Sequence, residues 1–393
     1  VMQMQNEAEL ISKVLYPSDD HAEGKTLRLK QQYFLVSASL QNILADHIRR
    51  WKDIRRLPEL AAIHINDTHP ALCVPELMRL LMDEHGLGWD EAWDIVTKTM
   101  AYTNHTVMAQ ALEEWDQSRV KMLLPRVYDI ILEIDKRHNQ HLRSKYPGDE
   151  NKIKTSAILY YNKVRMANLA IVGSHAVNGV SALHSDIIKN TIFHDFYLDT
   201  PEKFTNVTNG IAYRRWLCQS NPELSALIAE LIGDKFVKHA EELDKLCKFA
   251  KDKSVLEKLG EIKLTKKKQF ADYVYKKSGL VIDPSSRFDV QAKRIHEYKR
   301  QLLNALKIIA LINDIKANPN KEVTPQTFIF AGKAASGYYV AKQIIELVCA
   351  LSKEVAGDAR LKDKINVVFL EDYCVTMSEK MMPASEGSEQ ISL

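Results

Sequence analysis

Five basic side chains fall within eight positions of one segment: Lys293, Arg294, His296, Lys299 and Arg300. The formal net charge of the chain is only +3, so this cluster is local and does not follow from a basic composition. An arginine offers a planar fork of donors to phosphate oxygens, and a lysine offers a point charge. The segment predicts an anion site, although a solvated helix face is the ordinary alternative for such a run of charges.

The elements that flank this cluster support the anion interpretation. Phe288 and Val290 precede it with the character of a strand, and apolar residues follow at helical spacing from Leu302 to Ala310. The basic residues therefore lie where a predicted strand turns into a predicted helix. Unpaired backbone N–H groups and the positive end of the helix dipole meet at such a point, which favours an anion.

Polar motifs come after other predicted elements. The segment 66–70, Asn-Asp-Thr-His-Pro, follows a predicted strand, and open α/β sheets bind ligands beyond the carboxyl ends of their strands. Capping of the next helix by Asp67 or Thr68 is the alternative. His105 lies just past a helix predicted to end near Met100, where a lone histidine is more often a packing or capping residue.

The segment 173–181, Gly-Ser-His-Ala-Val-Asn-Gly-Val-Ser, follows a predicted buried strand. Its glycines would allow a ligand to approach the backbone closely, but a tight turn from strand to helix explains them equally well.

Hydrophobic periodicity predicts helices and strands along the whole chain. The predicted helices are 24–52, 75–84, one capped by Asp90, 120–142, 222–232, 254–277, 301–315 and 340–351. The predicted strands are 62–65, 169–173, 287–290, 327–331 and 365–370. Such alternation predicts an α/β protein with parallel sheets covered by helices, and a domain boundary is predicted near Asn209.

Composition limits the class of protein further. The chain has 393 residues, 46% of them hydrophobic and 27% charged, and no apolar run approaches the roughly 20 residues that cross a membrane. The near-neutral charge implies no nucleic-acid partner. Five scattered cysteines without a CxxC pair indicate reduced thiols and a cytoplasmic protein. Residues 332–338 lack the P-loop spacing, and Arg300 stands where a zinc helix beginning at His296 needs its second histidine, so we predict no metal.

The run 293–304, Lys-Arg-Ile-His-Glu-Tyr-Lys-Arg-Gln-Leu-Leu-Asn, resembles the phosphate-site signature of the glycogen, starch and maltodextrin phosphorylases. The resemblance extends from Leu15-Tyr16-Pro17 to the segment 388–392 and covers about half of a full-length member of that family. It implies a GT-B-like fold with two Rossmann-like domains facing a cleft. Residues 1–208 would belong to an N-terminal domain that binds the sugar, and residues 209–393 to a C-terminal domain that binds cofactor and phosphate.

The same resemblance implies the reaction and its partners. An α-1,4-glucan phosphorylase moves the terminal glucosyl unit of a glucan to inorganic phosphate and gives glucose 1-phosphate with retention of configuration. The cofactor would be pyridoxal 5'-phosphate, and the protein would be a cytoplasmic homodimer. The family's cofactor lysine lies in a Gly-Asn-Met-Lys segment that this sequence does not contain.

The resemblance also assigns roles to residues. Arg294 and Lys299 would hold the substrate phosphate and Tyr298 would help to bind the sugar. His105 would donate a hydrogen bond to the sugar, while its carbonyl group faces the reacting carbon. The implied substrate-binding residues are Asp20, Asp67, His69, Glu113, Val180 and Asn209. The implied cofactor-binding residues are Lys293, Trp216 and Tyr373.

Two alternatives stay open. A GT-B glycosyltransferase that uses a nucleotide sugar would need a pocket for a base and a ribose, and the sequence shows no candidate for one. A catalytically silent glucan-binding fragment is the other, and it follows if the chain ends before the cofactor lysine.

Overall fold

The computed structural model describes the backbone of residues 2–393 and the side chains of residues 5–109 and 111–393. It divides into two compact units, one running to Gly210 and the other from Ile211 to Leu393. Each unit has a parallel sheet and a hydrophobic core of its own. The prediction of an α/β protein with parallel sheets is therefore confirmed.

The first unit is rich in helices. Its helices are α1 (Met2–Lys13), α2 (Ala22–Trp51), α3 (Leu57–Leu60), α4 (Cys73–Arg79), α5 (Trp89–Thr99), α6 (Gln117–Leu123), α7 (Pro125–Lys145), α8 (Glu150–Ser156), α9 (Met166–Val172), α10 (Ala182–Ile187) and α11 (His194–Asp199). Its strands are β1 (Ile63–Asn66), β2 (Met100–Thr103), β3 (Glu114–Asp116), β4 (Leu159–Tyr160), β5 (Lys163–Arg165), β6 (Ala176–Gly179) and β7 (Phe204–Asn206).

Four of these strands form a parallel sheet in the order β1-β2-β6-β7. Asn66 pairs with Thr103, and Thr103 pairs in turn with Asn178, so the strands end nearly in register. Because all four run in the same direction, their carboxyl ends meet at one edge of the sheet. The strands β3, β5 and β4 form a separate antiparallel sheet.

The structure corrects three predictions in this unit. The segment 169–173 is not a strand: it belongs to the helix α9, in which every residue from Met166 to Ile171 is buried. A uniformly apolar run carries no period, so its pattern cannot separate a buried helix from a buried strand. Gly88 and not Asp90 caps α5. Finally, Pro125 begins a new helix, so the single helix predicted over 120–142 is two helices, α6 and α7.

The second unit alternates helices and strands. Its helices are α12 (Pro222–Ile232), α13 (Lys253–Ser278), α14 (Gln301–Ala317), α15 (Tyr339–Gly357) and α16 (Val375–Ala384). Its strands are β8 (Arg287–Ala292), β9 (Gln326–Ala331), β10 (Ile365–Leu370) and β11 (Gly387–Ser388), and they form a parallel sheet in the order β10-β9-β8-β11. The strands predicted at 287–290, 327–331 and 365–370 are confirmed.

Helices cover both faces of this second sheet. Phe288 and Val290 point to a core that they share with Phe270 of α13 and Met381 of α16. Phe328 and Phe330 point to the other face, where side chains of α14 and α15 such as Ile308 and Val348 pack against them. Alternate residues of β9 and β10 therefore enter opposite cores, as a sheet buried on both faces requires. No helix among the described residues is long and apolar enough to cross a membrane.

Candidate functional site

Polar side chains meet at the carboxyl edge of the first sheet. The Nε2 of His105 donates a hydrogen bond of 2.6 Å to Oδ1 of Asn66, which joins the loop after β2 to the end of β1. Thr103 donates a hydrogen bond of 2.6 Å to Asn178, which joins β2 to β6. No role was predicted for Asn66, Thr103 or Asn178. Asn66 and Thr103 end their strands and Asn178 is the last residue but one of β6, which is the signal that could have identified them.

The hydrogen bond to Asn66 determines which ring nitrogen of His105 is left to bind a ligand. With the Nε2–H group donated to Asn66, a neutral imidazole presents Nδ1 as an acceptor. A sugar hydroxyl can therefore accept a hydrogen bond from the Nε2–H group of His105 only if it displaces the side chain of Asn66. The side chain of His105 is itself exposed, so a ligand can reach it.

Asp67 lies at the same edge in an uncommon backbone conformation. Its φ angle is +61°, its N–H group donates to the carbonyl oxygen of Thr103 at 3.0 Å, and its carboxylate accepts from the N–H group of Thr68 at 2.7 Å. The next helix is capped by Leu72, which excludes helix capping as the role of Asp67 or Thr68. His69 follows in the same loop and is exposed.

Val180 and Asn209 are adjacent, although they follow different strands. The N–H group of Asn209 donates to the carbonyl oxygen of Val180 at 2.9 Å, and that of Val180 donates to Nδ1 of His184 at 3.0 Å. Gly179 before them packs so tightly that an added Cβ would lie 2.8 Å from Cα of Ser185. The structure thus brings Val180 and Asn209 to the edge that carries Asp67 and His105.

Glu113 is held by Gln32, for which no role was predicted. The Nε2 of Gln32 in α2 donates a hydrogen bond of 2.7 Å to Oε1 of Glu113, while Oε2 of Glu113 is buried without a hydrogen-bond partner among the described residues. Burial raises the pKa of Tyr102 in β2, and the negative charges of Asp67 and Glu113 raise it further. Both carboxylates therefore act on the same buried phenol. Gln32 is a polar residue on the buried face of the amphipathic helix α2, and this position could have identified it as a candidate site residue.

Asp20, the remaining predicted sugar-binding residue, lies in the segment before α2. Its carboxylate accepts a hydrogen bond of 2.7 Å from the hydroxyl of Ser18 in the same segment. The structure thus gives Asp20 a local partner, and its role toward a substrate stays a prediction.

The basic segment of the second unit forms a loop between β8 and α14, as the sequence predicted. Its backbone is joined to the loop after β9: the N–H group of Lys293 donates to Ala331 at 2.9 Å, and that of Ile295 donates to Lys333 at 3.1 Å. The hydroxyl of Tyr338 donates a hydrogen bond of 2.6 Å to the carboxylate of Glu297. The two loops therefore form one layer beyond the carboxyl ends of β8 and β9.

Positive charges lie close together in this loop. Partial burial lowers the pKa of Lys299, and the neighbouring charges of Lys293 and Arg294 lower it further. Burial also lowers the pKa of Lys293, although the charge of Glu389 acts in the opposite direction, and the ammonium of Lys293 donates a hydrogen bond of 2.7 Å to the uncharged amide of Gln390. Such a group of cations is stabilised by a bound anion.

Two neighbours of these cations have other contacts. The ring of Tyr298 lies 4.5 Å from that of His296, measured between centroids. The guanidinium of Arg300 donates to the carbonyl oxygens of Ile391 and Ser392. The charges that lower the pKa of Lys299 are those of Lys293 and Arg294, so Arg300 is not counted in the cation group.

The three predicted cofactor-binding residues all lie in the second unit. Lys293 follows β8, and Tyr373 follows β10 and bonds Ser378 of α16 at 3.0 Å. Trp216 lies in a π-helical segment, Arg214–Gln219, in which Arg215 pairs with Glu379 of α16 at 2.6 Å. Tyr373 and Trp216 thus both lie near α16. Lys293 is a partly buried cation whose hydrogen bond goes to an uncharged amide, and such a cation suits a phosphate-bearing group.

The part of the chain that the structure describes has no group of three or more His, Cys, Asp or Glu side chains that could hold a metal ion. The expectation that the protein uses no metal stays a prediction.

The two parallel sheets define an α/β protein with candidate ligand sites at their carboxyl edges, one lined by polar side chains and the other by a group of cations. The family model described as "Carbohydrate phosphorylase" matches residues 1–393. The chain is 50% identical to the glycogen phosphorylase of Bacillus subtilis (strain 168) over 392 residues, which cover 100% of this chain and 49% of that protein. It is 46% identical to the muscle forms of glycogen phosphorylase from Bos taurus and Homo sapiens over 402 aligned positions, covering 98% of this chain and 47% of each relative.

The chain therefore belongs to the carbohydrate phosphorylase family. The fold of this family is GT-B-like, which agrees with the parallel α/β sheet in each unit. The chain spans about half the length of the curated relatives it matches.

Proposed function

We propose that the chain is the sugar- and phosphate-binding part of an α-1,4-glucan phosphorylase. The observation that carries the proposal is the group of three cations, Lys293, Arg294 and Lys299, in one loop at the carboxyl edge of a parallel sheet. In this proposal Arg294 and Lys299 bind the dianion of inorganic phosphate. The phosphate accepts the glucosyl unit and leaves as glucose 1-phosphate with retained α configuration.

The polar edge of the first sheet would bind the sugar. Residues 1–208 then form the sugar-binding domain, with Asp67, Glu113 and Asn209 as polar partners of the glucosyl hydroxyls. The carbonyl group of His105 would face the reacting carbon, where a fixed dipole stabilises developing positive charge without having to reorient. His69, Val180 and Asp20 would complete the pocket, and Tyr298 is proposed as a further residue that helps to bind the sugar.

The second unit would also bind a cofactor. We propose pyridoxal 5'-phosphate, with Lys293, Tyr373 and Trp216 of the domain formed by residues 209–393 among the residues that hold it. When bound, it would supply a phosphate group that acts as a proton donor. In this chain, Arg294 and Lys299 would hold the substrate phosphate. That phosphate could then pass a proton to the departing glycosidic oxygen.

The proposal includes the partners of the protein. The substrates are inorganic phosphate and an α-glucan such as glycogen, starch or maltodextrin. The protein would work as a homodimer in the cytoplasm. The matched relatives are named glycogen phosphorylases, and this name supports a glucan and phosphate as the substrates.

Steady-state phosphorolysis by the full-length protein that carries this sequence tests the proposal. Arg294→Ala should raise the KM for phosphate and lower kcat, since the same anion is bound in the ground state and carries the proton in the transition state. Loss of a charged hydrogen-bonding group should lower kcat/KM about 10- to 100-fold. Arg294→Lys should restore little of it, because an ammonium lacks the planar fork.

Arg287 supplies the matched control. It is an exposed arginine at the opposite end of the same strand, β8, so Arg287→Ala removes an equal charge outside the loop. The kcat and the KM for phosphate of Arg287→Ala should match those of the unaltered protein. Equal losses in Arg287→Ala and Arg294→Ala would mean that the basic residues act only through their summed charge, and the proposed phosphate site would be wrong.

A further inference from the structure

A group of like charges needs a rigid support. Lys293, Arg294 and Lys299 repel one another: burial lowers the pKa of Lys299, and the charges of Lys293 and Arg294 lower it further. Without an anion, the loop would relax by moving these side chains apart. Three uncharged amide side chains beneath the loop oppose such a movement: Gln291, Gln301 and Asn304.

Gln301 supports the first half of the loop. It is the first residue of α14 and its side chain is fully buried, with an exposed fraction of 0%. Its Nε2 donates to the carbonyl oxygen of Arg294 at 3.0 Å, and its Oε1 accepts from the N–H group of His296 at 3.3 Å. One amide thus holds the backbone on both sides of Ile295.

Gln291 supports the second half of the loop. It lies in β8 with an exposed fraction of 1%, and its Nε2 donates to the carbonyl oxygen of Lys299 at 3.2 Å. Its Oε1 accepts from Nδ2 of Asn304, a buried residue of α14, at 3.0 Å. Asn304 therefore orients Gln291, and Gln291 holds the backbone of Lys299.

We infer that Gln291, Gln301 and Asn304 are positioning residues that preorganise the phosphate-binding loop, an inference that rests on the proposed function. The amides bind the backbone at Arg294, His296 and Lys299, so they fix where two of the cations leave the main chain. They add no charge to the site, whereas a carboxylate in the same place would compete with the substrate for the cations. A preformed site binds an anion without first having to order its loop.

Gln301→Met tests the inference in the full-length protein with inorganic phosphate as the probe. Methionine has a similar length but forms neither hydrogen bond, so the KM for phosphate should rise about tenfold or more. The KM for the glucan should stay unchanged. Asn221→Ala is the matched control, because Asn221 is a buried amide of the same unit that caps α12 and not the loop. This control should lower the melting temperature and leave the KM for phosphate as it was.

Gln301→Glu adds a readout that a purely structural role would not give, and it carries the test if Gln301→Met does not fold. A protonated carboxyl group can both donate to Arg294 and accept at His296, whereas an ionised one only accepts. The KM for phosphate should therefore be near normal on the acidic side of the titration of the introduced carboxyl group and rise steeply on the alkaline side.

The results separate the inference from the proposed function. A Gln301→Met protein that melts as early as Asn221→Ala but keeps its KM for phosphate within about twofold would overturn the inference alone. A KM that does not depend on pH in Gln301→Glu, beyond the dependence of the unaltered protein, would do the same. Unaltered protein that shows no dependence on phosphate would overturn the proposed function itself.

Discussion

The carbonyl oxygen of Lys293 lies 1.9 Å from the point that a Cβ atom on Gly332 would occupy. Gly332 also has a φ angle of +152°, a conformation that other residues rarely adopt. The loop after β9 can thus pass directly beneath the loop that begins with Lys293. Glycine at this position is what allows the two loops to form one layer.

Gly332→Ala should therefore damage the phosphate loop. The methyl group must displace the backbone of Lys293, and we expect a loss of about 1–3 kcal/mol in the free energy of unfolding. The KM for phosphate should rise in the same variant. Urea denaturation and steady-state kinetics measure the two effects.

Gly260→Ala is the control for that substitution. Gly260 lies within α13, and outside the backbone of that helix no atom of the described residues comes within 4 Å of its Cβ position, so alanine should stabilise the helix by about 0.5–1 kcal/mol. If Gly332→Ala were as stable as Gly260→Ala and kept the KM for phosphate unchanged, the close approach to Lys293 would not be needed for phosphate binding.

The sugar edge gives a second prediction, on His105 and Asn209. His105→Ala and Asn209→Ala should each remove hydrogen bonds that are strongest in the transition state, at a cost of about 1–3 kcal/mol in kcat/KM. Their melting temperatures should change little, because both side chains are exposed. His85→Ala, an exposed histidine of the same unit, should leave both quantities unchanged. Normal kinetics with a lowered melting temperature would make His105 and Asn209 structural residues.

The third prediction concerns pH and Lys299. Because the pKa of Lys299 is lowered, the free protein loses this proton at a lower pH than an unfolded chain does. Phosphate favours the charged form, so its binding should be accompanied by proton uptake, and its affinity should fall as the pH rises through the lowered pKa. Calorimetric titration of phosphate in buffers with different ionisation enthalpies measures that uptake. Lys299→Met should abolish it, and uptake that persists in this variant would assign the proton to another group.

The fourth prediction concerns stability and His138. Burial lowers the pKa of His138 from 6.5 to about 4, although the charge of Asp199 and the backbone of Ser156 act in the opposite direction. Between these two pH values the unfolded chain binds more protons than the folded protein, so stability should fall as the pH falls from 6.5 toward 4. The full loss is on the order of 3 kcal/mol.

His138→Phe should remove that part of the pH dependence and keep the stacking of this ring on Phe196. Chemical denaturation over this pH range measures the difference, with His85→Phe as the control at an exposed position. An unchanged pH dependence in His138→Phe would show that other groups cause it.

Regular elements were predicted well where the pattern carries a period. The helix α2 was predicted over 24–52 and spans Ala22–Trp51, because its buried residues recur at helical spacing along one side. The helix α9 was missed, since burial on all sides erases the period by which a helix is recognised.

The candidate site could be predicted only in part. The basic segment 293–300 was singled out because it lies where a predicted strand turns into a predicted helix, and because it resembles the phosphate-site signature of the phosphorylases. The bond between His105 and Asn66 joins residues 39 positions apart, and that between Gln32 and Glu113 joins residues 81 positions apart. Such pairs depend on how strands and helices are placed in space, which no local pattern records.

Phosphate-dependent formation of glucose 1-phosphate is the reaction that the proposed function requires. The full-length protein that carries this sequence would be incubated with maltoheptaose and inorganic phosphate, or with UDP-glucose in place of phosphate, and the products followed by phosphorus NMR. We expect α-glucose 1-phosphate from glucan and phosphate, with the rate reduced in Arg294→Ala and unchanged in Arg287→Ala. Glucosyl transfer from UDP-glucose, or a product that forms without phosphate, would contradict the proposed function.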